Sequence, residues 1–202
     1  MGRRYLLVGM LLAVSLAQNP GYSVRIARVG ARPAPALGPL PQRCPTGPPP
    51  TKLGPVFGSG PGVSGYGAFP IWALGFDGPH ATLRYSSNAA DKNLVFVAPY
   101  GWGHKMLWLV TPRYKGRVTL RGGSLQGNRP LYFDTAGQQE PTTSPVFDAT
   151  HPFIRPHARG EWPEFNSSLY VPQAGCYYVD VHWSGGTWRM VFAAGQSRRQ
   201  GR

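Results

Sequence analysis

Nine short runs of residues with high β propensity, each bounded by glycine, proline, asparagine or aspartate, constrain the fold of this chain most. Such spacing is typical of an antiparallel sandwich or barrel. No stretch carries a sustained helical stripe capped at both ends. We therefore expect one all-β domain, an antiparallel β-sandwich. The runs are 69–76, 81–85, 94–99, 105–111, 117–121, 131–134, 168–171, 176–183 and 187–193.

The last two runs predict a β-hairpin with one face on the core. A Ser184-Gly185-Gly186 turn joins them, and side chains alternate between the two faces of a strand. One face of the first strand is apolar: Tyr177, Val179, Val181 and Trp183. The opposite face holds Cys176, Tyr178, Asp180 and His182, so we expect it to point away from the core.

Two cysteines in a chain that folds in an oxidising compartment most economically pair with each other. Cys44 lies in a proline-rich segment far from Cys176 in the sequence. We therefore expect a disulfide that holds this segment against the outer face of the final hairpin. Two free thiols are the alternative.

The chain divides into four segments by composition. Residues 1–17 carry Arg3 and Arg4, an apolar run and a small-residue pair at Ser15 and Ala17, as in a secretory signal peptide. Residues 18–52 form a proline-rich arm with nine prolines and no acidic residue. The sandwich is predicted over 53–194, with 136–163 as a surface excursion, and 195–202 as a disordered basic tail. We expect a secreted or cell-envelope protein without a membrane span after signal cleavage; a retained anchor is the alternative.

The net charge of +13 belongs mainly to the ends of the chain. All eight acidic residues lie within 53–194 together with eleven basic ones, which leaves the predicted domain at +3. A basic balance suggests nucleic acid as a partner only when it forms a patch on a recognisable module. None is found here, so we expect no nucleic acid partner. An anionic envelope polymer or lipid surface suits the charge better, and a contribution to solubility suits it best.

Three sequence segments resemble uncharacterised exported proteins of soil bacteria, many of them lipoproteins. The resemblance lies in the hairpin segment 174–192, the central strands 105–122 and the glycine-rich start 58–69. It implies an immunoglobulin-like sandwich and supplies no activity. The cysteine that would carry a lipid is not found at the predicted cleavage point.

Aromatic and basic residues in two glycine-flanked or basic loops are the candidate binding site. Aromatic rings beside cations provide stacking and charge, which suits a glycan or an anionic polymer. The alternative is that these rings fold back and cap the sandwich. The candidates are Tyr100, Trp102, Tyr114, Arg113, Lys115 and Arg117.

A metal site is the other candidate. Asp180 and His182 project from one strand face and could provide two ligands, with His151 and His157 in the excursion nearby. The alternative is a solvated Asp–His hydrogen bond. No nucleophile or acid–base constellation is found in the sequence, and no cofactor is expected.

Three functions from different classes remain at this point. The first is a non-catalytic binding module for an envelope glycan or anionic wall polymer. The second is a structural or protein-interaction domain, and the third a secreted hydrolase. Exposure of Tyr100, Trp102 and Tyr114 on one surface would favour the first.

Overall fold

A computed structural model describes residues 34–45, 47, 49–53, 63–85, 95–135, 138, 140–153 and 162–196. Every regular element among these residues is a strand, which confirms the predicted all-β sandwich. The strands are β1 (Thr51–Lys52), β2 (Ser64–Ala68), β3 (Ile71–Leu74), β4 (Thr82–Tyr85), β5 (Val95–Val97), β6 (Gly101–Val110), β7 (Arg117–Ser124), β8 (Tyr132–Thr135), β9 (Val146–Asp148), β10 (Glu164–Val171), β11 (Gly175–Trp183) and β12 (Gly186–Gln196).

Two sheets pack face to face. The first has the order β1-β2-β3-β6-β10-β8, with β5 also paired to β6. The second has the order β4-β12-β11-β7-β9. All pairs are antiparallel except β4 and β12, which run parallel.

Alternating residues of both sheets form the core. On β6, Met106, Trp108 and Val110 point inward and are buried. The Trp108 indole is fully buried, and its Nε1 donates a hydrogen bond to the Ser167 hydroxyl at 2.8 Å. That bond satisfies the ring's only donor, so a large aromatic side chain is buried without an unpaired polar atom.

The final hairpin forms as the alternation predicts. Val179 and Val181 are fully buried, whereas Asp180 is half-buried and His182 is exposed. Strand β11 lies between β12 and β7, with Asp180 opposite Arg189 on one side and Arg121 on the other. The inner face of this hairpin therefore contributes to the core, and the outer face is available to other parts of the chain.

The disulfide between Cys44 and Cys176 is confirmed, with the two Cα atoms 5.6 Å apart. Cys176 is on the outer face of β11, as expected, yet it is 2% exposed because the arm lies over it. Further along, Gly47 passes so close to β12 that a Cβ there would be 3.1 Å from the Val191 carbonyl oxygen. The described residues between 37 and 53 thus form a strap across the outer face of the second sheet.

The proline content of residues 18–52 predicts an arm that does not pack on the domain. The structure shows instead that the described part of this arm is attached to the sandwich. Leu37 is buried in the main core, and Leu53 is buried at the strap's other end. Between them, strand β1 pairs with β2 and adds an edge to the first sheet. Apolar and backbone attachments therefore hold this part of the arm in addition to the disulfide.

The sandwich also ends later than Ala194, the predicted last residue. Gly195 and Gln196 continue β12 and pair with Arg84 and Tyr85 of β4. Gln196 also exchanges two backbone hydrogen bonds of 3.0 Å with the strap, at Gly38 and Leu40. Backbone pairing holds these two residues in the sheet, and it could not be predicted from their side chains. The rest of the predicted tail lies outside the described residues.

Strands β1, β2 and β9 were not predicted. Glycines at positions 65 and 67 hide β2, and a Cβ at Gly65 would come within 2.8 Å of Leu53. Strand β9 lies inside the region predicted as a surface excursion, where Phe147 is nevertheless 2% exposed and stacks on Phe165. A three-residue strand is too short to show an alternating pattern.

The predicted signal peptide, residues 1–17, lies outside the described residues. Within the described part of the chain, no helix has the length and apolarity needed to cross a membrane.

We expect replacement of both cysteines, Cys44→Ala with Cys176→Ala, to lower the free energy of unfolding by about 2–5 kcal/mol. The reason is that the disulfide closes a sequence separation of 132 residues and so restricts the unfolded chain. Urea denaturation measures the loss, and the unmodified protein under reducing conditions should lose the same amount. Alkylatable Cys44 and Cys176 in the untreated protein would contradict the disulfide.

We also expect stability to fall as the pH drops below about 6.5, in part because of His104. This half-buried ring lies 5.6 Å from the Tyr85 ring, and its Nε2 donates to the Gly75 carbonyl at 3.0 Å. Burial lowers the pKa of His104 from 6.5, an effect only partly opposed by the Gly75 hydrogen bond and the Asp77 charge. Below 6.5 the unfolded chain therefore binds more protons than the folded one, and protonation favours unfolding.

Thermal unfolding midpoints measured between neutral pH and about pH 5 test this expectation. His104→Gln, which keeps a donor for Gly75, should flatten the dependence, with the exposed His182→Gln as the matched control. An unchanged slope in His104→Gln would show that another group is responsible.

Candidate functional site

The six candidate binding residues lie at two opposite ends of β6. Tyr100 and Trp102 are at its start, whereas Arg113, Tyr114, Lys115 and Arg117 follow its end. The ten residues of β6 extend over about 30 Å at roughly 3.3 Å per residue. The structure therefore does not bring the six together in one cluster, and each end has to be considered separately.

Trp102 belongs to the core and not to the surface. It is 9% exposed, its ring lies 5.3 Å from that of Phe96, and its carbonyl accepts a hydrogen bond from the Tyr85 hydroxyl at 3.2 Å. Even-numbered positions of β6 point inward, and Trp102 shares that face with Trp108. The glycines on either side gave the impression of an open loop, although both are part of the strand.

Tyr100 forms an aromatic platform with two tyrosines that the sequence did not single out. Its ring centroid lies 5.0 Å from that of Tyr132 and 6.1 Å from that of Tyr170. Tyr132 and Tyr170 are directly opposite each other on β8 and β10, on the outer face of the first sheet. Tyr100 and Tyr132 are half-buried, so part of each ring faces solvent. We call these three rings the tyrosine platform.

Glycine 103 allows the platform to lie close to the sheet. It pairs with Tyr170, and a Cβ at this position would be 3.0 Å from the Tyr170 ring. The Tyr170 ring occupies that space and is 7% exposed. Burial, and to a smaller extent the charge of Asp134, raises the pKa of Tyr170, so its hydroxyl stays protonated.

A polar hollow of about 330 Å³ adjoins the platform. Ser168 on β10 lies opposite Lys105 on one side and Asp134 on the other. Asn166 also lines the hollow. An ammonium group, a carboxylate, a hydroxyl and an amide thus offer several donors and acceptors within a small area. Such a set suits a ligand that carries several hydroxyl groups.

An apolar cluster covers the other end of the same sheet face. Leu53 from the strap and Leu109 of β6 are buried there, and the half-buried rings of Trp72 and Trp162 meet edge to face at 5.1 Å. A groove of about 600 Å³ opens beside them. Its lining consists of Phe69, Trp72, Thr111, Pro112, Arg113 and Trp162. We call it the tryptophan groove.

The remaining candidates surround this groove or lie next to it. Tyr114 is half-buried, and its hydroxyl donates to the Arg117 carbonyl at 2.9 Å. Its ring lies 6.0 Å from Phe69, which in turn lies 6.3 Å from Trp183. The Tyr114 ring therefore packs against the Phe69 ring. Arg113 and Lys115 are exposed.

Asp180 of the predicted metal pair is engaged in another interaction, and His182 is exposed. Both carboxylate oxygens of Asp180 accept hydrogen bonds from Arg189, at 2.6 and 2.7 Å, and this bond raises the pKa of the guanidinium. The Arg189 guanidinium also lies over the Tyr178 ring at 4.3 Å. His151 contacts Asp148 and Thr150 instead, and His157 lies outside the described residues. Among the residues described, no three His, Cys, Asp or Glu side chains converge as metal ligands.

Part of the platform could have been found from the sequence. Leu131 and Phe133 alternate with Tyr132 and Asp134 in the sequence, which predicts that the first two point inward and the other two outward. The structure has Leu131 and Phe133 fully buried. The pairing of Tyr132 with Tyr170, by contrast, joins residues far apart in the chain. No local pattern predicts which strands become neighbours.

We expect Trp102→Ala to lower the free energy of unfolding by about 3–5 kcal/mol, because it leaves a cavity in the core. Chemical denaturation measures this loss, and Trp102→Phe should restore most of the stability. A Trp102→Ala protein with unchanged stability would mean that the ring is on the surface after all.

Comparison of the chain with family models, with curated proteins and with solved structures finds no match. The resemblance to exported proteins of soil bacteria therefore stays a prediction.

Proposed function

We propose that this protein is an exported, non-catalytic glycan-binding module whose ligand lies on the outer face of the first sheet. The observation that carries the proposal is the tyrosine platform beside the polar hollow. Sugar rings have an apolar face of C–H groups and a rim of hydroxyls. They require an aromatic surface and hydrogen-bonding groups side by side.

The platform supplies the aromatic surface. Tyrosine rings are rigid and amphipathic, so they offer contact area at little cost in conformational entropy. The backbone of β8 and β10 fixes Tyr132 and Tyr170, and Tyr100 packs against both. A site built on paired strands keeps its geometry without the ligand, which favours binding.

The polar hollow supplies the hydrogen bonds. Lys105 donates, Asp134 accepts, and Ser168 and Asn166 can do both. The pairing of Ser168 with both neighbouring strands holds these groups in one row across the sheet. A ligand with hydroxyls on adjacent carbons would engage several of them at once.

Export is part of the proposal. It is supported by the signal-like residues 1–17 and by the disulfide, since disulfides form and persist mainly in oxidising compartments. An immunoglobulin-like relationship to exported proteins of soil bacteria is proposed with it, and the two-sheet architecture is compatible with that relationship.

The test is binding of the full chain to an array of neutral and acidic cell-wall oligosaccharides. We expect Tyr132→Ala to lower the affinity for the glycans that the unmodified protein retains by about tenfold or more, a loss of at least about 1.4 kcal/mol of binding free energy. The matched control is Tyr178→Ala, which removes a half-buried tyrosine from the outer face of the other sheet. Thermal unfolding of both variants shows whether each remains folded.

Loss of binding in Tyr132→Ala with normal binding in Tyr178→Ala supports the proposal. Retention of no glycan by the folded protein contradicts it, and so does equal binding by the two variants. In those cases a structural or protein-interaction role becomes the better explanation.

A further inference from the structure

We propose that the ligand is an acidic polysaccharide chain that lies along the outer face of the first sheet and places an acidic sugar unit against Arg113 in the tryptophan groove. This inference rests on the proposed function and names the class of glycan. It also assigns a second subsite, at the opposite end of the face from the tyrosine platform.

The two aromatic sites are parts of one surface. Along β6 the outward positions are Gly103 beside the platform, Lys105 in the polar hollow, and Leu107 and Leu109 beneath the tryptophans. The six steps from Gly103 to Leu109 cover about 20 Å. We call the outer face along these positions, from the tyrosine platform to the tryptophan groove, the track. A single sugar ring is much shorter than the track, so only a chain of several units can contact both ends.

The tryptophan groove has the size and the lining of a ligand subsite. Its volume of about 600 Å³ falls within the range of small-molecule pockets. Trp72 projects outward from β3, where it pairs with Leu109, and the Trp162 ring contacts it edge to face and also lines the groove. Phe69 at the edge is 50% exposed, although its ring is held by Tyr114 and Trp183. A large exposed ring fixed in position is expected where a ligand binds.

Arg113 gives this subsite its charge preference. It lines the groove and is exposed. Two of the described carboxylates form ion pairs elsewhere, Asp148 with His151 and Asp180 with Arg189. A guanidinium group matches a carboxylate in a bidentate geometry, and this pairing is stronger than a bond between neutral groups.

The charged side chains along the track also favour an acidic ligand. Lys105 lies in the middle and Arg113 at the tryptophan end, with Lys115 exposed two residues further on. Asp134 is half-buried beside Ser168, and Glu164 is 4% exposed. Asp134 and Lys105 offset each other in the polar hollow, so the exposed charges of the described residues are positive at the tryptophan end, which favours a uronic acid unit there over a neutral sugar.

The experiment measures binding of uronic acid oligosaccharides and neutral glucose oligosaccharides, each as disaccharide and hexasaccharide, by calorimetry on the full chain. We expect the uronic hexasaccharide to bind most tightly, and more weakly as salt is raised. Arg113→Gln should weaken its binding about tenfold and leave the neutral hexasaccharide unchanged. Phe69→Ala should weaken both hexasaccharides and neither disaccharide.

Two matched variants serve as controls. Arg121→Gln removes an exposed arginine from the outer face of the second sheet, and Phe153→Ala removes an exposed phenylalanine that does not line the groove. Both should bind as the unmodified protein does.

The outcomes separate the two proposals. A disaccharide that binds as tightly as the hexasaccharide, or acid binding unaffected by Arg113→Gln, overturns the extended acidic ligand. If Tyr132→Ala still abolishes binding in that case, the proposed function stands without it. If no oligosaccharide binds and the array also retains none, the proposed function fails and this inference fails with it.

Discussion

The apolar contact between the two inner sheet faces is the interaction on which the rest of the molecule depends. Trp108 of the first sheet and Val179 and Val181 of the second are fully buried there. Because side chains alternate along a strand, burying one set of positions fixes the outward direction of every residue between them. Tyr170, Ser168 and Lys105 point outward from the first sheet because their neighbours along the strands point into the core. The candidate ligand face is thus a direct result of core packing.

The strap extends this arrangement to both sides of the sandwich. It is covalently held to the second sheet at Cys176, and it then adds β1 to the edge of the first sheet. Immediately afterwards, Leu53 enters the apolar cluster under Trp72 and Trp162. One segment therefore covers part of the outer face of one sheet and packs against the two tryptophans that line a groove on the other. Its proline content limits its conformational freedom before it folds, which reduces the entropy lost on attachment.

High β propensity between turn residues was sufficient to predict nine of the strands, and alternation predicted the final hairpin and the outward direction of Cys176. The other three strands have weak local patterns: β1 has two residues, β2 contains two glycines, and β9 has three residues. Pairing between distant segments, such as β9 with β7, was not predictable from a local pattern. The candidate site follows the same division. Tyr100 was identified correctly from its loop. Trp102 was predicted to lie on the surface because a strand between glycines resembles a loop in sequence, but its side chain is in the core. Tyr132 and Tyr170 become a pair only when β8 and β10 meet.

The backbone bonds that join Gln196 to Gly38 and Leu40 bring the two ends of the described chain side by side. The sandwich is therefore close to a closed ring of polypeptide, in which the position of the termini matters little to the core. A circular permutant that connects these ends and opens the exposed turn around Gly127 would keep every strand pair described above. In such a protein Cys44 and Cys176 would be separated by a short stretch of chain instead of a long one. The same disulfide would then contribute less to stability, because the loop that it closes would be smaller.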